Sequence, residues 1–214
     1  MADAAGPTER TRALVTRELG VALELVGERG YRESGSAPLE GEWLGAFAQP
    51  GVVLNTATAM RVELGRDVGS SVDEYGAADL VIVRHEGDRV EWRKAYVAGQ
   101  RENFIYVGRL AHGVLAGYWY SPHLPRFGGV FWLARTDHLT EPSASALRAK
   151  VRSWSWRRHA LRALLVALIV VPAVGPTPVL AIPIVGTVWL GMYTLNRRRN
   201  ALASERREWE RLLH

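Results

Sequence analysis

The chain has 214 residues, a formal charge of +5 and no cysteine, which excludes a disulfide framework and a thiolate metal site. Residues 1–150 hold 17 Lys+Arg against 19 Asp+Glu, a net −2, while residues 151–214 hold 10 against 3, a net +7. The basic pI of about 9.9 thus belongs to the C-terminal third; it is poor evidence for nucleic-acid binding by the rest and favours contact with anionic lipid headgroups.

The N-terminus has no basic n-region and no apolar h-region, so it does not read as a secretory signal. Leu14, Val15, Leu19, Ala22, Leu25 and Val26 recur at helical spacing and predict a helix from Thr8 to about Glu28, within a lead-in of residues 1–38. From 39 to 138 short apolar-aromatic runs alternate with Gly, Asp, Asn and Pro breaks. Strands are predicted over Glu40–Ala48, Leu54–Leu64, Asp79–His85, Arg89–Val97, Asn103–Ala111, Val114–Ser121 and Gly129–Arg135, with one more within Arg66–Glu74. Glu86-Gly87-Asp88, Ala98-Gly99-Gln100 and Ala111-His112-Gly113 read as hairpin turns. Short antiparallel strands at this spacing fit a barrel or a sandwich.

Residues 139–159 read as a linker and a juxtamembrane helix. Ala163 to Asn196 carries no charged side chain and is fenced by Arg157, Arg158 and Arg162 before it and Arg197, Arg198 and Arg199 after it. About 20 apolar residues suffice to span a bilayer, and Gly175-Pro176-Thr177-Pro178 breaks the run. Residues 160–196 are therefore expected to form a two-helix transmembrane hairpin, with Trp154, Trp156, Arg162, Trp189, Tyr193 and Arg197 as interfacial anchors. The basic flanks put both termini and the soluble domain in the cytoplasm, on a multi-pass protein of a bacterial inner membrane. Residues 197–214 read as a basic helix lying on headgroups or on another subunit.

The expected fold class is mainly β: a small up-and-down antiparallel β-barrel with an N-terminal helix, plus the C-terminal transmembrane hairpin. Gly41-Glu42-Trp43 on the first strand and Arg135 late in the last strand resemble the lipocalin-like pattern. That resemblance implies an arginine packed across the tryptophan at one barrel end. The wider layout resembles the two-transmembrane β-rich effectors of cyclic-oligonucleotide antiphage signalling, although those place the helices before the barrel. This implies an effector that binds a cyclic dinucleotide, oligomerises and disrupts the membrane.

Alternation puts Val90, Trp92, Lys94 and Tyr96 on one face, Phe104, Tyr106 and Gly108 on one face, and Val114, Ala116, Tyr118 and Tyr120 on one face. Rings and a few cations suit a nucleobase with its phosphates, and equally a lipid headgroup. The candidate ligand residues are Arg84, Trp92, Arg93, Lys94, Tyr106, Arg109, Tyr118 and Tyr120. His85, His112, His123, His138 and His159 do not fall at metal-ligand spacing, and the carboxylate pairs Asp73/Glu74 and Glu40/Glu42 read as solvated. No pattern implies catalysis or a cofactor. The expected partners are an anionic bilayer, a small-molecule ligand and further copies of the chain, with no nucleic-acid polymer. A tethered lipid carrier and a filled-barrel interaction module remain open.

Overall fold

The computed structural model describes residues 6–26, 38–49, 57–98, 103–153 and 198–214. Eight antiparallel strands pair in sequence order and close into one barrel. They are β1 Gly41–Ala48, β2 Ala57–Leu64, β3 Val68–Asp73, β4 Gly76–Glu86, β5 Arg89–Tyr96, β6 Asn103–Ala111, β7 Val114–Tyr120 and β8 Gly128–Arg135. β8 returns to pair with β1, which leaves no free edge. The segment 66–74 does supply a strand. β4 begins three residues earlier than expected and carries an irregularity between Ile82 and Arg84, where Val83 is the extra residue.

Turn chemistry fixes the register where connections are short. His112 (φ 52°) and Gly113 (φ 65°) both adopt the left-handed conformation that a two-residue hairpin turn requires. Gly108 and Gly117 lie side by side on β6 and β7, and Gly117 lies opposite Phe131 on β8. A Cβ on Gly108 would come within 2.7 Å of the Phe131 ring, so this pair of glycines makes room for a phenyl group at the barrel's centre.

The inward faces form one core of Trp43, Phe47, Met60, Val62, Leu80, Val90, Trp92, Tyr106, Trp119, Phe131 and their neighbours. A second core lies outside the barrel. There Leu44, Ala46, Ala116, Val130, Trp132 and Ala134 pack against helical residues. α1 (Pro7–Leu19), α2 (141–153) and α3 (198–213) supply Val15, Leu19, Leu147, Leu202, Trp209 and Leu213. Strands buried on both faces lose their polar alternation, as Val130–Ala134 shows. Each fully buried aliphatic or aromatic side chain contributes roughly 1.5–3 kcal/mol of transfer free energy. The outer faces of β3, β4 and β5 have no such cover: Val68 is 64% exposed and Val83 57%.

Four expectations need correction. α1 stops at Leu19 and not near Glu28, because Gly20 turns left-handed (φ 62°) and its N–H caps the carbonyls of Thr16 and Arg17. The following residues run extended, with Leu25 bridging Leu139 and the Val26 N–H bonding the His138 carbonyl. Of the stretch 139–159 expected to begin as a linker, residues 141–153 are already helical. α3 does not offer its apolar side to headgroups or another subunit: Leu202, Trp209 and Leu213 are buried against the chain's own α1 and barrel. The Trp209 Nε1–H donates to Thr11 Oγ1 at 2.9 Å, and Thr11 donates to Glu205 at 2.8 Å.

The fourth correction concerns fold class. The barrel and the N-terminal helix are present, but no helix among the described residues is long and apolar enough to cross a membrane. The described C-terminal element is a single helix with one apolar side, packed on the barrel. The expected hairpin 160–196 and the anchors Trp154, Trp156, Arg162, Trp189, Tyr193 and Arg197 lie outside the described residues.

Candidate functional site

The two ends of the barrel differ in their connections. At one end β2–β3, β4–β5 and β6–β7 are joined by three residues or fewer. At the other, residues 49–56, 97–102 and 121–127 join β1–β2, β5–β6 and β7–β8, and only the β3–β4 turn is short. Long connections at one end of a rigid barrel are where binding groups concentrate.

The short-turn end is closed by hydrocarbon. Trp43 lies across it, fully buried, and donates its indole N–H to the Leu39 carbonyl at 2.9 Å. Arg135 stands opposite Trp43 in register, where the G-x-W resemblance implies a guanidinium packed across the indole. Its guanidinium, however, is held by Asp137 (3.0 and 3.1 Å) and the Pro38 carbonyl (2.9 Å).

The long-loop end holds an ionic cluster. Strand alternation turns Lys94 inward on β5, between Leu80 on β4 and Phe104 on β6. Its side chain and that of Asp73, the last residue of β3, are both completely buried, and they form an ion pair. Asp73 is fully engaged. Oδ2 accepts from Lys94 and from the Tyr96 hydroxyl (2.7 Å), while Oδ1 accepts the Tyr75 backbone N–H (2.8 Å) and so shapes the β3–β4 turn.

Around the ammonium stand the rings of Tyr96 (4.8 Å), Phe47 (5.2 Å) and Tyr106 (5.9 Å), with the Met60 sulfur at 3.4 Å. Such ring faces stabilise a cation electrostatically. Trp92 stacks on Tyr106 at 5.1 Å, and Trp119 packs edge-on against Phe47 at 5.6 Å. Tyr75 closes the cluster toward solvent. Its ring packs on Phe47 and Tyr96, its hydroxyl accepts from Gln49, and it is 38% exposed.

Burial pushes the Lys94 pKa down, and the Asp73 charge opposes that push. Burial raises Tyr96 and Tyr106, and the negative charge of Asp73 adds to it. Burial likewise raises Tyr75. All three phenols therefore stay protonated at neutral pH. The Ser71 hydroxyl, two residues before Asp73 on the inward face of β3, is buried without a hydrogen-bond partner among the described residues.

The residues singled out from sequence divide. Trp92, Lys94 and Tyr106 come together in this cluster. Tyr118 and Tyr120 lie on the outer wall, beneath the guanidinium of Arg206 at 5.8 and 5.3 Å. There the Tyr118 hydroxyl meets His214 at 2.9 Å, and burial pushes its pKa up to about 12. Arg84 pairs with Glu86 in the open, Arg93 is exposed, and Arg109 pairs with Asp88 beside the short turns. Asp73 was expected to be solvated; burial and its three donors correct that. Ser71, Tyr75 and Tyr96 were not singled out. Ser71 and Tyr96 share one signal, the inward register of β3 and β5, while Tyr75 stands in the turn between β3 and β4 and carries none.

No known protein family matches the chain, and no match is found among curated proteins or among solved structures.

Proposed function

We propose that the protein is a ligand-sensing barrel of lipocalin-like type, with its site at the loop end. The observation that carries this reading is the buried Lys94–Asp73 pair set among aromatic rings. Burying two charges costs several kcal/mol each, and replacing such a pair by apolar groups is often neutral or stabilising. Stability alone therefore gives little reason for it. An eight-stranded antiparallel meander and Arg135 opposite Trp43 support the lipocalin-like part.

The inward groups favour a small flat ligand with at most one charge. Of the four cations named from sequence, Lys94 alone lies in the cluster, and Asp73 already neutralises it. A cyclic dinucleotide brings two phosphates and would need more. The narrower reading, a cyclic-nucleotide-gated effector, thus has less physical support than a sensor of a planar, weakly charged molecule. An anionic lipid surface is part of the proposal, supported by the net +7 of residues 151–214.

A second reading also has an observation behind it. The closed half of the interior is filled by side chains, and Val68, Val81 and Val83 are bare on the outer wall, as suits an interaction module. Thermal unfolding separates the two. Benzyl alcohol, benzoate and a cyclic dinucleotide are titrated in turn against the full chain. The ligand reading expects one of the small planar probes to raise Tm by about 5–10 °C at a hundredfold excess over its Kd. No shift with any of the three would leave the interaction module.

A further inference from the structure

Resting on the loop end as the ligand site, we propose that Lys94 holds its ligand covalently and reversibly, as the imine of a small planar aldehyde or ketone. The first support is which basic residue sits there. Of the 27 Lys and Arg residues in the chain, only Lys94 and Lys150 are lysine. Lys150 lies on α2, outside the barrel. The barrel's one lysine is completely buried, paired and ringed by aromatics. Arginine suits a buried structural ion pair better, through its planar fork of donors, and this chain uses arginine almost everywhere else. What arginine cannot supply is a nucleophilic amine, because its guanidinium stays protonated.

The second support is the set of groups around Nζ. A lysine desolvated among apolar rings is poised for carbonyl chemistry. Asp73 is the one carboxylate among the described residues paired with it, and Tyr96 shares the same oxygen. The third support is independent of charge: the buried Ser71 hydroxyl, on the same inward face, has no hydrogen-bond partner among the described residues and can donate to or accept from a bound polar group.

The step balances with these groups. Asp73 takes a proton from the Lys94 ammonium, and the free amine pair attacks the carbonyl carbon. The C=O π pair moves to oxygen, which receives a proton from nitrogen to give the carbinolamine. Asp73 returns its proton to that hydroxyl, which leaves as water, and the nitrogen pair forms C=N. The product is a protonated imine still paired with the Asp73 carboxylate, so the buried charge balance is the same before and after. No oxidant or reductant is consumed.

Benzaldehyde is the probe, followed by borohydride, which reduces an imine to a stable secondary amine. Peptide mapping then compares Lys94 with Lys150 in the same molecule. The expected result is benzyl label on Lys94 in at least about tenfold excess over Lys150 in the folded chain, with Tyr75→Ala speeding its appearance. Lys94→Met/Asp73→Asn, which removes both charges together, should lose the label while remaining folded. Equal labelling of the two lysines, or label on Lys150 alone, overturns the imine. If benzyl alcohol still raises Tm in that case, the ligand site stands and its covalent chemistry falls. If neither label nor Tm shift appears, both fall.

Discussion

At the short-turn end of the barrel, Trp43, Val62, Leu64, Val90, Leu110 and Leu115 fill the interior with hydrocarbon, and the one indole N–H finds the Leu39 carbonyl. At the long-loop end, equally buried positions hold an ammonium, a carboxylate, phenols and a hydroxyl with no partner among the described residues. The same strands build both ends, and the same closure buries both. The first end needs nothing beyond the hydrophobic effect to explain it. The second keeps charges where hydrocarbon would fold as well. That contrast is the reason for placing function at one end and stability at the other.

The sharpest way to break the contrast is to remove groups at each end in turn. Asp73→Ala leaves Lys94 buried without its counter-charge and should cost about 3–5 kcal/mol. Trp43→Ala should cost a similar 3–5 kcal/mol through lost contacts and a cavity. The two differ in rescue. Adding Lys94→Met to an Asp73→Asn chain should recover most of the loss, because no lone charge remains. No second change of charge should rescue Trp43→Ala. Urea unfolding of the four variants reads this directly. If the double charge variant is as unstable as Asp73→Ala, the ion pair is part of the structural core and the contrast fails.

The closed end was far more legible in the sequence than the site. β6 was read to the residue, and β1, β5, β7 and β8 to within one residue at either end, because their apolar runs end in Gly or polar turns. The G-x-W signal led to Trp43 and Arg135 on paired strands, but not to the guanidinium's hold on Asp137 and Pro38 in place of the indole. Asp73 was not legible, because its partner Lys94 is 21 positions away and reaches it across β4, where the sheet curls inward. The faces of Tyr118 and Tyr120 were not legible either: β7 is buried on both sides, so alternation there lacks a polar face to mark the outside. At Gly20 the apolar spacing ran on past a residue whose left-handed φ had already ended α1.

Alkaline pH sharpens the same contrast, because three of the raised phenols stand at the loop end, while Tyr118 and Tyr120 are raised on the outer wall. Tyr75, Tyr96 and Tyr106 have folded pKa values above their unfolded value of about 10. Their contribution to stability is present in full below pH 10 and is lost as pH rises toward the folded values, since the unfolded chain sheds those protons first. Lys94 acts in the opposite sense. Its folded pKa is lowered, so rising pH favours the folded state up to its unfolded value of about 10.4. Denaturant midpoints measured from pH 8 to pH 11 should therefore hold or rise at first and then fall. Tyr96→Phe should blunt the fall, and an unchanged slope in that variant would mean Tyr96 is not among the groups that titrate.

The smallest expected effect belongs to Arg135. The lipocalin-like pattern expects it to close the barrel across Trp43, but its guanidinium binds Asp137, two residues on, and the Pro38 carbonyl. Its side chain is 19% exposed and that of Asp137 is 59% exposed, so the ion pair is largely screened. What Arg135→Ala removes is chiefly one charge-assisted bond that fastens the chain before β1, at a cost of about 1.5–3 kcal/mol. The Trp43 indole keeps its own acceptor, so the core should stay packed. Because the change lies at the opposite end from Lys94, the Tm shift with a small planar probe should match that of the unaltered protein. A loss above about 3 kcal/mol would restore Arg135 as the closing residue. A changed ligand shift would mean the two ends are coupled through the strands, and that stability and binding are not separate regions of this barrel.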